Sequence, residues 1–253
     1  MPTLDNPHLG IAHDFEVLLR YVTEEKVILT PKQQFIPVRH VRNVMADFQV
    51  KELHEEKIGD RIYKKREEIE YPRFYLLDLL ALSGEFLTIT QSGRLTKGPK
   101  WQKFFEAPLA ERPFYLFSTF RAQFNVGAWF LRGGGFGERL EEKWSTVWSH
   151  LTEWRHGQPI EWDAWATKVV EECSLYWGAP DQTDAKENMI WGLKHCLIEP
   201  MKYFGILELE YRQGKFSQEL QTVRLNPTGI DYFKRLDFGS KVLRNVSSWF
   251  SVN

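Results

Sequence analysis

Cysteine is nearly absent from this chain. Two residues in 253, Cys173 and Cys196, cannot build a disulfide framework, and they point to a reducing compartment, so a cytoplasmic location is expected. Long apolar runs are missing as well. No stretch approaches the ~18 residues that read as a membrane span, and Met1 to Gly10 lacks the basic-then-apolar pattern of a signal region, so no membrane partner is expected. Nor is there a surplus of either charge. Thirty-three Lys and Arg face 34 Asp and Glu, for a net charge of -1. Both halves are close to balance, with 18 basic and 17 acidic residues in 1–126 and 15 and 17 in 127–253. That balance excludes indiscriminate coating of a polyanion. What is present is apolar and aromatic: 43% hydrophobic and 15% aromatic residues are enough for two or three small cores and lie outside the disordered range.

Signatures of catalysis are also scarce. There is no nucleophile elbow, no paired zinc-type cysteines and no His-Glu-x-x-His. The glycine run Gly133-Gly134-Gly135-Phe136-Gly137 lacks the Gly-Lys-Ser/Thr ending of a nucleotide loop and follows a helical stripe, so it reads as a helix–helix connection. His150, Glu153 and His156 recur every third residue, but a helix turns ~100° per residue, so the third side chain drifts away from the seam of the first two. The expectation is a non-enzymatic protein with no cofactor and no metal. Cys173 and Cys196 both sit on apolar stripes and read as core residues.

Phe15, Leu18, Leu19 and Val22 are spaced as one face of a helix, with Asp14 placed to cap it. Val27-Ile28-Leu29 reads as a short strand, and a second helix after Pro37 buries Val38, Val41, Met45 and Phe48 while Arg39, His40, Arg42 and Asn43 face outward. Lys51 to Tyr71 is charge-dense and reads as an exposed helix or linker. Phe74 to Leu82 is apolar on almost every side, which predicts a buried helix, ended at Ser83-Gly84. Leu87 to Thr96 then alternates about a Gln91-Ser92-Gly93 turn as a hairpin. Phe117, Phe120, Phe124 and Ala128 stripe one long helix, Trp144, Trp148 and Leu151 another, and a helix from Asp163 buries Ala166, Val169, Cys173 and Tyr176. Seven of the ten tryptophans fall between Trp129 and Trp177. Met189, Ile190, Leu193 and Leu197 form a stripe ended by Pro200, followed by a second hairpin over Ile206–Tyr211 and Leu220–Leu225 with a turn at Gln213-Gly214-Lys215. Arg94-Leu95-Thr96 to Phe104-Phe105 and Arg224-Leu225-Asn226 to Tyr232-Phe233 look like divergent copies of one unit, although the Leu-to-aromatic spacing differs by two residues.

Helix, two-stranded wing and a Leu-Asn-Pro-Thr-Gly to Tyr-Phe finish (Leu225 to Phe233) together resemble the winged-helix superfamily. Leu87 to Phe105 matches more loosely, with Lys97-Gly98-Pro99 distorting the loop, and Thr30 to Phe48 matches in outline. The resemblance implies an α+β fold and a tandem protein of bacterial type, with two or three winged-helix units around a Trp-rich helical middle. The segments expected are 1–50, 51–110, 111–180 and 181–253.

The resemblance implies two functions, and the residues leave both open. One is DNA association of the transcription-regulator type, with duplex DNA as partner. Between Phe86 and Phe105 there is no acidic residue, and Arg94, Lys97, Lys100 and Lys103, with Trp101 among them, form a basic wing on which Gln91 and Ser92 add hydrogen-bonding groups. Arg39, His40 and Arg42 are further candidates for phosphate or base edges. The apolar helix before the wing offers few polar groups to a major groove, which counts against base reading. The other is a protein-interaction module, with a homodimer or another protein as partner, using the apolar pre-wing helices and the tryptophans.

Overall fold

The computed structural model describes residues 7–58, 60–130, 135–178, 182–214 and 218–237. Arg132-Gly133-Gly134 and the Lys215 turn lie outside these. The chain is mixed α+β and divides into two compact units, residues 1–125 and 126–253. The boundaries expected at 50/51, 110/111 and 180/181 therefore fall inside units: the N-terminal segments share one core, and the Trp-rich stretch shares another with the C-terminal hairpin.

The first unit opens with α1 (Pro7–Glu24), whose Ile11, Phe15, Leu18, Leu19 and Val22 are all buried, as their helical spacing requires. Asp14 is not its cap. The helix begins seven residues earlier, and the buried Asp14 carboxylate receives Arg73 Nη2 at 2.7 Å and the Gln49 N–H at 2.6 Å. A buried carboxylate needs such donors, and here a cation 59 residues away supplies one. Residues 27–29 run extended, then α2 (Val38–Ala46) follows Pro37. Lys51 to Tyr71 is neither helix nor featureless linker. It holds an antiparallel hairpin, β1 (Glu55–Ile58) and β2 (Arg61–Lys64), and a short 3₁₀ turn at Glu68–Glu70. Charged residues alternate there without an apolar face, so periodicity gives no strand signal.

Helix α3 (Pro72–Ser83) has Pro72 in its first turn, and the Glu52 carboxylate accepts from the Arg73 and Phe74 N–H groups at 3.2 and 3.0 Å. Burial pushes the Glu52 carboxyl up, and those two N–H groups pull it partly back. Residues 73–81 are buried throughout. Strands β3 (Leu87–Ile89) and β4 (Leu95–Lys97) pair antiparallel, and residues 27–29 add a third strand outside β4, with Leu29 N–H to Gly93 O and Leu95 N–H to Val27 O both at 2.9 Å. Helix α4 (Trp101–Glu106) and α5 (Arg112–Gln123) complete the unit. Phe15, Phe86 and Phe104 meet edge to face at its centre, with centroids 5.1–5.7 Å apart. Each such ring adds about 2 kcal/mol of burial. The stripe from Phe117 to Ala128 is not one helix. Phe124 takes an extended backbone while its ring packs on Phe120 at 4.9 Å.

The second unit runs α6 (Val126–Trp129), α7 (Phe136–Glu142), α8 (Trp144–His150), a 3₁₀ turn (Leu151–His156), β5 (Ile160–Glu161) and α9 (Trp162–Glu172). Then come α10 (Gln182–Leu193), a π turn (Lys194–Ile198), α11 (Glu199–Tyr203), β6 (Leu207–Gln213), β7 (Gln218–Leu225) and α12, residues 227–237. Pro200 does not stop the helical run. The wider π turn just before it gives room for a ring that would otherwise meet the carbonyl four residues back. Tyr176 is not in the α9 stripe. The helix ends at Glu172, Ser174 turns the chain at φ +50, and Tyr176 is exposed. Cys173 and Cys196 are buried in this unit. So are Trp144, Trp148, Trp154, Trp162 and Trp165, with Trp154 and Trp165 edge to face at 5.0 Å.

The two units repeat one plan. In each, a helix leads to a short strand, a second helix, a pre-strand helix, a hairpin and a closing helix. In each, the short strand pairs with the second hairpin strand, giving the sheet order β5-β7-β6 in the second unit. Glu85 (φ +59) and Gly205 (φ +66) both turn left-handed just before the hairpin. Phe86 O then accepts from Gly98 N–H at 2.8 Å, and Ile206 O from Asn226 N–H at 3.0 Å. This pairing matches Lys97 to Leu225 and the buried Leu95 to the buried Val223. Seven residues then separate Lys97 from Phe104 and Leu225 from Tyr232, so the two-residue discrepancy disappears. It came from matching leucine to leucine. Gly98 does not distort the loop but permits it, since a Cβ there would stand 2.3 Å from Glu85 O.

Candidate nucleic-acid interface

The candidate residues of the first unit sit on the β3–β4 hairpin, on α4 and the residue before it, and on α2. Gln91 and Ser92 occupy the exposed tip of the β3–β4 hairpin, where Ser92 Oγ and Thr90 Oγ1 lie 3.0 Å apart. Arg94 is half-buried, its backbone is held in the three-stranded arrangement, and its Nε is shut from solvent with no acceptor. Lys100 is also half-buried. Its Nζ pairs with Glu85 at 2.9 Å and donates to Gln123 Oε1 at 3.2 Å, so its charge ties the loop to the unit. Lys97 and Lys103 are exposed and have no carboxylate within ion-pair distance among the described residues. The basic wing of the sequence thus narrows to two outward cations.

Lys97 Nζ lies 5.0 Å from the centroid of Trp101, and Trp101 lies 4.9 Å from Phe105. Arg20 of α1 caps the row, with Cζ 4.7 Å from the Phe105 centroid. These residues, with Thr23 and Glu24, line a cleft of about 410 Å³. The helical spacing of Trp101 and Phe105 hints at their side of the row, but Arg20 belongs to a distant segment and carries no sequence signal.

On α2, Arg39, His40 and Arg42 form a separate group whose bonds run to α1 and to the chain after β2. His40 Nδ1 lies 3.1 Å from the Tyr21 hydroxyl, which also receives Asn43 Nδ2 at 3.1 Å. Arg39 Nε donates to His40 Nε2 at 3.3 Å. With Nε2 accepting, the ring proton is assigned to Nδ1 and the ring is neutral. Burial and the Arg39 charge hold the imidazole below its usual range, in agreement with that assignment. Arg42 Nη2 donates to Lys65 O at 3.1 Å. Arg39 and Arg42 stay exposed; His40 is half-buried.

The helix before the wing is closed off. Helix α3 packs against α1, α5, β3 and the Glu68–Glu70 turn, so its own unit covers the faces that would enter a groove or meet a partner. The second hairpin differs electrostatically from the first. Arg212 bonds both Asp163 and Glu219 at 3.1 Å, Arg224 Nε bonds Glu208 at 2.7 Å, and Thr222 donates to Glu210 at 2.8 Å. Its described cations, Arg212 and Arg224, are paired in place.

No helix among the described residues is long and apolar enough to cross a membrane. Comparison with protein-family models, with curated proteins and with solved structures finds no match to this chain.

Proposed function

We propose that the chain is a tandem winged-helix protein that associates with DNA through the backbone, using the wing of its first unit. The observation that carries the reading is the contrast between the two hairpin regions: in the first, Lys97 on β4 and Lys103 on α4 have no carboxylate partner among the described residues, and in the second, Arg212 and Arg224 are paired with carboxylates. The repeated order of elements, with the short strand outside the second hairpin strand, supports the winged-helix assignment. The burial of α3 supports backbone contact rather than base reading, because direct readout needs polar side chains in the major groove.

The test is duplex binding by fluorescence anisotropy across a salt series. Each phosphate contact contributes about 0.9 to the slope of log affinity against log salt, so Lys97→Glu with Lys103→Glu should lower that slope by about 2 and weaken all sequences alike. Arg212→Gln on the second hairpin should change neither. Negligible affinity of the wild type at low salt, or a double variant that binds like it, would overturn the reading.

A second reading, a protein-interaction module, is favoured by a different surface from the one expected. Most of the described tryptophans and helix α3 are buried, although Trp191 on α10 is exposed, and Leu53, Ile62 and Tyr63 on and beside the β1–β2 hairpin are exposed. A homodimer closing on that hairpin would appear as concentration-dependent sedimentation.

A further inference from the structure

The repeat provides an internal comparison for the cleft beside the first wing. Where the first unit has Lys97 and Trp101, the matching positions of the second are Leu225 and Gly229. Phe105 corresponds to Phe233, which is buried and packs against Trp148 at 5.9 Å. A Cβ on Gly229 would stand 2.5 Å from Ile206 O, so the second unit is closed at this place. The core positions are retained in both units: Leu95 with Val223, and Phe104 with Tyr232, are all buried. Packing the fold therefore accounts for Phe104 but not for a half-buried Trp101 beside an exposed lysine.

That addition has a consistent chemistry. Trp101 and Phe105 form an aromatic pair with centroids 4.9 Å apart and planes inclined at 37°, with Lys97 over the Trp101 ring and Arg20 over the Phe105 ring. The Arg20 charge is already answered by Glu16, which takes its Nε and Nη2 at 3.0 and 2.9 Å and holds Arg112 on its other oxygen. Glu24 is the one acid of the lining, which leaves Lys97 as the cation available to an incoming anion. The Thr23 hydroxyl is committed to the Leu19 and Arg20 carbonyls, so the lining has little with which to read base edges. The cleft volume of about 410 Å³ lies within the roughly 300–1,000 Å³ of small-molecule sites.

We infer that this cleft takes an unpaired nucleotide of single-stranded DNA, its base stacked on Trp101 and its phosphate on Lys97. The inference rests on the DNA reading above and narrows it to the kind of strand the first unit prefers. Stacking on an aromatic ring tolerates any base, because every base has a π-face. The Lys97 ammonium moves from the Trp101 ring to the phosphate on binding; an exposed cation–π contact is weaker than a base stack.

The experiment uses the full chain with two fluorescein-labelled probes, an oligo(dT) of about fifteen nucleotides and a duplex of the same length. Wild type should bind oligo(dT), and Trp101→Ala should weaken that binding about tenfold or more while leaving duplex affinity within about twofold. Trp101→Phe keeps a π-face without changing the fold's demands and should retain most of the oligo(dT) affinity, which separates stacking from general damage. Oligo(dT) binding that is equal in wild type and Trp101→Ala, or a wild type that binds duplex but not oligo(dT), overturns the inference and leaves the proposed function standing. A wild type that binds neither probe removes both.

Discussion

Glu68 and Asp78 are two acids enclosed within one core. Glu68 Oε2 accepts the Ile36 N–H at 2.5 Å, while Glu68 Oε1 and Asp78 Oδ1 are buried with no donor. One proton held between those oxygens would satisfy both. Burial is the main cause that raises both groups, Asp78 to about 6 and Glu68 well above its usual range, where the Asp78 charge adds to it. The neighbouring Tyr75 phenol is pushed up as well, by burial and by the same two carboxyls. In the unfolded chain these carboxyls release their protons near pH 4, whereas the folded chain keeps them to higher pH. Between those limits the folded state binds more protons, so stability falls as pH rises. Asp78→Asn removes part of that loss. Urea unfolding from about pH 4 to 7 should show the variant gaining on wild type as pH rises, most steeply up to about pH 6. Two parallel stability curves would refute the shared proton. Neither acid announces itself in the sequence, because Glu68 lies in a run of charges that reads as solvated and Asp78 in an apolar helix. Only the folded unit brings them together.

Elements differ in how much of their stability is local. Helix α3 was legible because apolar residues on all sides can only mean burial, and its stop at Ser83-Gly84 follows from the turn there. The β1–β2 hairpin was not legible, and its structure explains why. Every described residue of its strands is exposed, so no apolar alternation marks them. It is closed by Lys65 N–H to His54 O at 3.0 Å, and among the described residues the second unit has no hairpin between α9 and α10. An isolated two-strand ribbon adds little to a core. Replacing residues 55–64 by a short Gly-Ser turn should therefore change the stability of the chain by no more than about 1 kcal/mol in urea. A loss of several kcal/mol would mean the hairpin is part of the fold. If the interaction reading holds, the same excision should abolish concentration-dependent sedimentation. Glu52, which caps α3, lies outside the excised segment and is kept.

For the molecule as a whole, two units with separate cores replace the four segments read from composition. Aromatic density drew a zone around the middle of the chain, but density reports where rings are, not which core they join. The tryptophans after Trp129 pack on one another, as Trp144 on Trp148 and Trp154 on Trp165, and the same core takes in Phe233 of α12 against Trp148. Residues 126–253 expressed alone should unfold in one cooperative transition. Nine of the ten tryptophans lie in that segment, so their fluorescence reports it directly. A broad, non-cooperative change would show that its core depends on residues 1–125.

The hairpin after Phe86, the buried helix before it and the buried cysteines were legible in the sequence, because strand alternation and all-round apolarity act over a few neighbouring residues. Tertiary structure alone decided which charges remain available. The absence of acids between Phe86 and Phe105 made four wing cations look equivalent, yet Glu85 lies one residue outside that window and neutralises Lys100, and Arg94 turns inward. Arg20 reaches the Trp101–Phe105 row from another helix, just as Arg73 reaches Asp14. Charge pairing depends on distance in space, and residues far apart in the chain meet only when the core brings them within a few ångströms.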